Sequence, residues 1–422
     1  MAAQLRIASP SFLDDPRLRR LLTVLNGGGE EARVVGGAVR NHLMHVPVHE
    51  VDIATTATPE VVIARAKASE LKCVPTGIDH GTVTIVVDHV PYEVTTLRED
   101  VETDGRRAKV AFGRDFDADA MRRDFTINAL STRADGEIFD PAGGFADIER
   151  RHVRFIGDAD VRIREDYLRI LRFFRFHAAY GVGEPDAGAL QAIGANRDGL
   201  DSLSRERVRA ELLKLLEARA ASDVVELMSG LGLLVRILGG VAMPMRLAQL
   251  MAIEHAREEK PDAVLRLAAL AVLTREDAER LRPRLRLSND GYTRLVQAAD
   301  ARAKLHARAV PPPFGELRTF LFLQGRRAAC DATALAHAES GMAPDHAGWR
   351  SAARFLADTP EPRMPFGGAD IVRRGVAPGK AVGEVLKILQ AAWIRAGFPD
   401  APHELARLIG EALATYDERR NA

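Results

Sequence analysis

Strand-like alternation is confined to the first third of this chain and nearly stops at Asp147. That change of period constrains the fold more than any other feature, because strands repeat every two residues and helices every 3.6. Before it, "EARVVGG" reads as a short strand entering a glycine turn, "AVRNHLM" as the start of a helix, and "EVDIATTA" as another strand. "TPEVVIARAKAS" opens with a Thr cap and a proline at the first helical position. "GTVTIVVDHVPYEVTTLR" alternates on both sides of Asp88-His89 and predicts a hairpin. After it, "DADVRIREDYLRILRFFRFHAAYG" is a helical pattern closed by Gly181. "SRERVRAELLKLLEARA" has helical apolar spacing behind Ser204, without a full capping box. The remainder is Ala/Leu/Arg-rich, broken at "MPM", "VPPPFG", "MPFGG" and "FPDAPHE". The expected fold class is therefore α+β, a mixed sheet with helices followed by helices alone.

Length and charge limit the function. The 422 residues exceed what one core usually supports, so several domains are expected, with "VPPPFG" (310–315) the best linker candidate. Lys+Arg and Asp+Glu are both 59, so a nucleic-acid partner has to be met by local basic patches. Two distant cysteines, Cys73 and Cys330, argue against a disulfide scaffold or a structural zinc and fit a reducing compartment. No signal-like segment opens the chain, and "LRLAALAVL" is interrupted by Arg266, so a cytoplasmic location without membrane contact is expected.

Glu50 and Asp52 sit two residues apart in "EVDIATTA". On a strand such residues share a face, about 6.6 Å apart, and can hold one or two hard cations between them. The pair Gly36-Gly37 offers backbone amides to a phosphate chain, and Arg40 adds charge. An E-x-D alone is common and is more often an ordinary acidic strand. His42, His45 and His49 suggest a metal set, but Pro47 interrupts the helix that would align them.

Two later segments carry more. "DADAMRRDFTINAL" gathers Arg122 and Arg123, suited to phosphate, with Asp124 and Asn128, suited to ribose hydroxyls. In "REDYLRILRFFRF", Asp166 and Arg169 are spaced as i and i+3 on a helix, with Arg172 and Arg175 carrying positive charge onward. An acceptor beside a donor matches one edge shared by cytosine and adenine. Uracil and guanine present the reverse order and would leave unpaired groups.

The order of these segments resembles the class II tRNA nucleotidyltransferases, the CCA-adding group that also contains bacterial poly(A) polymerases. The likeness rests on "GGAVRN", "HEVDIATTATPE", "TGIDHGTVTIV", "YEVTTLREDVETDGRRAKVAF", "DADAMRRDFTINAL", "FDPAGGFADIERRHVRFIGD", "REDYLRILRFFRF" and "LSRERVRAELLKLL". It implies a palm-like nucleotidyltransferase head at 1–145, a neck with the base-reading helix at 146–210, a helical body at 211–310 and a helical tail at 311–422. It further implies Glu50 and Asp52 as Mg²⁺ ligands with Glu93 as a third carboxylate. Gly37, Arg40 and Arg123 or Arg122 would contact the triphosphate. Asp166 and Arg169 would read the base, assisted by Arg172 and Arg175. The activity implied is untemplated addition of CCA to tRNA from CTP and ATP, with the tRNA held at its 3′ end and its acceptor stem or elbow. The polar stretch between Glu93 and Arg122 matches a loop that helps switch from C to A, which favours CCA over poly(A) addition. The family usually has Asp where Glu50 stands and often Asp where Asn41 stands, which argues that position 41 is not an obligatory ligand; given Glu50, a catalytically weak RNA-binding relative is the reading from another class. A dehydrogenase built on Gly36-Gly37 fails, since no G-x-G-x-x-G follows.

Overall fold

The computed structural model describes residues 5–9, 11–78, 81–99 and 111–421, so most of the polar stretch after Glu93 lies outside the described residues. The chain forms two compact units, Met1–Val224 and Val225–Ala422.

The first unit holds one seven-stranded sheet. Its strands are β1 (Ala32–Val35), β2 (Asp52–Thr55), β3 (Lys72–Gly77), β4 (Thr82–Val87) and β5 (Val90–Thr96). A two-stranded ribbon, β6 (Arg98–Glu99) with β7 (Ala111–Phe112), precedes β8 (Ser131–Thr132) and β9 (Ile138–Phe139). The order is β3-β4-β5-β2-β1-β8-β9, with β2 and β5 parallel and every other pair antiparallel. The expected hairpin is present: Val87 pairs with Val90, and Asp88 and His89 both take positive φ. Two such residues in a two-residue loop match the right-handed twist of the strands they join. Leu18, Leu21, Leu22 and Leu25 of the helix Pro16–Leu25 are buried, as are Val83 and Ile85 of β4.

No strand follows β9 among the described residues. The helical pattern from Asp158 divides, however, into Ala159–Glu165 and Leu168–Tyr180. Asp166 is extended at φ −156°, and its Oδ1 accepts the Leu168 N–H at 3.1 Å, which starts a new helix instead of continuing the old one. The Tyr167 ring fills the space beside Gly199, where an added Cβ would lie 2.0 Å from it. Gly181 closes the second helix as expected. That helix packs on the head through aromatic rings, with Phe173 and Phe176 lying 6.2 and 5.2 Å from Phe125.

The helix Arg205–Glu217 runs unbroken through the expected neck–body boundary at 210. In the second unit, Ala301 and Leu305 share a core with Leu317, Phe320 and Trp349, so "VPPPFG" joins helices within one core and does not separate two. A further cluster gathers Ile371, Val385, Leu389, Trp393 and Leu408. Among the described residues no helix is long and apolar enough to cross a membrane.

His337, 1% exposed, supplies a pH test of this unit. Its Nε2 donates to the Ala343 carbonyl at 3.0 Å and its Nδ1 accepts from Arg257 at 3.1 Å. The second bond requires the neutral ring, because a protonated Nδ1 cannot accept. Burial first, then Arg257 and His346, push its pKa down to about 4 against the pull of the Ala343 bond. The unfolded chain therefore takes up a proton that the folded one refuses, and stability falls as pH drops from 6.5 toward 4. The loss is on the order of 3 kcal/mol, and the wild type should lose that much more than His337→Gln in urea titrations across this range. Parallel pH profiles would refute it.

Candidate active site

Asp52 is the first residue of β2, at the sheet end where the glycine turn also lies. Parallel pairing sets it in register with Glu93 of β5, so both carboxylates stand on one face of adjacent strands, about 5 Å between strand axes. Glu50 precedes the strand and is exposed. The two-residue alternation thus does not by itself make the pair: the near neighbour of Asp52 arrives through the sheet. Removal from water comes first, then the Glu93 and Glu50 charges, in holding the Asp52 carboxyl above the ordinary range, and Arg123 opposes them.

These carboxylates line a cleft of about 340 Å³ with Val35, Thr95, Arg98, Asp119, Arg122 and Arg123. Hard oxygen donors that repel one another suit a divalent cation. Among the described residues no three His, Cys, Asp or Glu are grouped to hold a metal, so the fit rests on Asp52 and Glu93, with Glu50 contributing charge nearby. The histidine set is likewise absent; His42 instead packs edge-on against Phe12 at 5.6 Å. Arg98 and Asp119 were not singled out in the sequence. Arg98 lies two residues beyond the end of β5, and Asp119 lies on the helix Phe116–Met121.

Gly36 turns the chain out of β1 at φ 64° and starts the helix Gly37–Leu43. Its N–H donates to the Leu130 carbonyl at 2.9 Å, so this amide is already used. A Cβ here would stand 2.9 Å from the Arg123 guanidinium, and the positive φ would strain it besides. Gly37 opens the helix with Arg40 close to it.

Several cations read as phosphate ligands are committed elsewhere. Arg40 is buried, 6% exposed, donating to Asn128 at 2.5 Å, to Asn41 at 2.8 Å and to the Tyr180 hydroxyl at 2.8 Å, with its guanidinium over the Tyr180 ring. Asp124 and Asn128, expected to meet ribose, instead bond each other at 3.1 Å. The other Asp124 oxygen accepts Arg172 at 2.6 Å, and Glu211 accepts Arg175 at 2.5 Å. The reason is electrostatic: a buried carboxylate persists only where a cation and hydrogen bonds meet it. Arg172 and Arg175 are therefore part of a charge network, not a free positive stripe.

Asp166 and Arg169 lie at the start of the neck helix, joined by the Arg169 N–H to the Asp166 carbonyl at 3.0 Å, but their side chains do not meet each other. Asp166 accepts from Arg207 at 2.6 Å, whereas Arg169 pairs with Glu165 and donates to the Arg162 carbonyl at 2.9 Å. Arg169 also reaches the Arg122 carbonyl at 3.5 Å, which brings the neck helix to the cleft wall. Arg122 and Arg123 line the cleft as expected.

Residues 32–154 match the family model described as the poly A polymerase head domain. Residues 185–243 match the model described as a probable RNA and SrmB-binding site of polymerase A. The chain is 32% identical to the mitochondrial CCA tRNA nucleotidyltransferase 1 of Mus musculus, across 96% of this chain and 93% of that protein. It is 31% identical to the CCA-adding enzyme of Limosilactobacillus fermentum, across 94% and 96%. The Bacillus stearothermophilus CCA-adding enzyme, crystallised with CTP, superposes at TM-score 0.73 and 27% identity over 96% of this chain and 98% of that one.

Proposed function

The chain belongs to the CCA-adding tRNA nucleotidyltransferases, and from that premise we propose which residues carry the reaction. It adds C, C and A to tRNA 3′ ends from CTP and ATP without a nucleic-acid template, and the reaction is metal-dependent. The observation that carries the assignment of residues is the Asp52–Glu93 register, which sets two carboxylates side by side in the cleft.

Asp52 and Glu93 would hold the metal, for which Mg²⁺ suits the oxygen donors, with the Glu50 charge nearby. A divalent ion bound there would supply acidity toward the attacking hydroxyl and charge against the phosphates. Arg122 and Arg123 orient the triphosphate on the opposite side of the cleft. Gly36 keeps Arg123 in place by leaving room for it. Asp166 and Arg169 read the base, exchanging their bonds to Arg207 and Glu165 for the donor and acceptor of cytosine or adenine. Arg172, Asp124, Asn128 and Arg40 act by fixing the neck helix to the head, and Arg175 by fixing it to the helix Arg205–Glu217 through Glu211.

The head is assigned to 1–145, supported by the matched head model, and the neck is extended to the end of the helix Arg205–Glu217. Surface arginines such as Arg150 and Arg205 are proposed to meet the tRNA backbone, since Arg154 and Arg207 already carry acidic partners. A cytoplasmic location belongs to the same proposal. It is supported by two free cysteines, while the mouse relative's name places that protein in mitochondria.

Purified protein with Mg²⁺ and tRNA ending at the discriminator base is expected to add two residues from CTP alone and a third once ATP is present. UTP and GTP should add none. A long ladder from ATP alone would match poly(A) addition instead. No extension under any mixture would leave a binding protein on this fold.

A further inference from the structure

Arg98, Arg122 and Arg123 line the same cleft as Asp52 and Glu93. Arg123 is paired with Asp119 at 3.2 Å, and Arg122 donates to the Arg98 carbonyl at 2.9 Å. Arg98 differs from both. Its Nε is sealed from water yet has no acceptor among the described residues. A buried N–H left without a partner costs about 1–3 kcal/mol, so its presence in a cleft calls for an acceptor that arrives with a ligand.

The backbone around Arg98 is fixed on both sides. Leu97 N–H donates to the Thr55 carbonyl at 2.9 Å, and Gly113 N–H donates to the Leu97 carbonyl at 2.8 Å. Arg98 itself pairs with Phe112 in the β6–β7 ribbon. A rigid backbone thus holds in the cleft a guanidinium whose Nε lacks an acceptor among the described residues. The alternatives for this work are already occupied: Arg40 is buried among Asn41, Asn128 and Tyr180, and Arg172 is bound to Asp124.

We propose that Arg98 binds the pyrophosphate end of the nucleotide, the β- and γ-phosphates before transfer and inorganic pyrophosphate after it. This deepens the reading above and rests on it. In the transfer, the tRNA 3′ oxygen bonds to the α-phosphorus and the bond from that phosphorus to the bridging oxygen breaks. The bridging oxygen leaves with the electron pair as part of pyrophosphate, and the hydroxyl proton passes to solvent. Negative charge therefore grows on the leaving group. A planar, permanently charged guanidinium with several donors meets it better than an ammonium.

The test uses the full chain, Mg²⁺ and inorganic pyrophosphate, first by calorimetry without tRNA and then as a product inhibitor of CTP incorporation. Arg98→Gln should raise both the Kd and the Ki for pyrophosphate about 10- to 100-fold, the range of a hydrogen bond to a charged group. Arg98→Lys should recover part of that loss, while the KM for tRNA and the melting temperature stay at wild-type values. Unchanged pyrophosphate affinity in both variants would overturn the proposal. So would a loss that Lys does not recover and that tracks a fall in melting temperature, because Arg98 would then only brace the ribbon. A wild type that binds pyrophosphate through Arg98 but extends no tRNA would sink the CCA reading and leave this one standing.

Discussion

Asp52→Asn should lower nucleotide addition by roughly 10³-fold or more while leaving the protein folded, because it removes a charge that acts on the reacting phosphate. Glu50→Gln should lower it only about tenfold, the scale of one modest charge effect, since Glu50 stands outside β2 and is exposed. The two variants together separate the strand-register account from one in which Glu50 and Asp52 share the metal equally. Equal losses would favour the latter. The stability side has the opposite sign. The Asp52 carboxyl lies above its ordinary pKa in the folded chain, so its ionisation opposes folding, and stability present at low pH is lost as pH rises through that pKa. Asp52→Asn should accordingly melt at or slightly above the wild-type temperature when no metal is added. A large fall in melting temperature would mean that its inactivity reports misfolding.

The residues differ in how far the sequence exposes their role. The Asp88-His89 hairpin was readable because alternation on both sides leaves two residues for the turn, and both take the positive φ such a turn needs. Asp52 was readable as a candidate ligand, but its neighbour across the sheet was not derivable from spacing. Glu93 reaches it through a parallel register, a property of the folded sheet. The break before Leu168 was hidden because apolar residues continue at helical spacing through it, from Ile163 to Ile170; one side-chain bond from Asp166 outweighs that period. The partners of Arg40 were hidden for a related reason. A sequence shows a cation but not its acceptors, and Asn128 lies 88 residues away.

Asp124 is where these two kinds of reading part most sharply, and its substitution carries the second large effect. As a ribose contact, Asp124→Ala would weaken nucleotide binding and leave stability alone. In the folded chain it is 7% exposed, accepts Arg172 at 2.6 Å and Asn128 at 3.1 Å, and thereby ties the head to the neck helix. Its loss leaves Arg172 with the more distant Glu211 at 3.8 Å, and removes from Arg40 the charge of Asp124. Breaking one side of a buried pair typically costs 3–5 kcal/mol; Arg172 keeps some access to water, so about 3 kcal/mol is expected. For a unit of this size that is a fall of roughly 6–12 °C in melting temperature. Arg172→Met with Asp124→Leu should regain much of it, because the pair is removed whole and an apolar contact with Phe176 takes its place. Activity in Asp124→Ala should fall through kcat, since a loosened neck helix no longer holds Asp166 and Arg169 against the cleft wall. A KM for CTP that rises while the melting temperature stays fixed would restore the ribose role to Asp124.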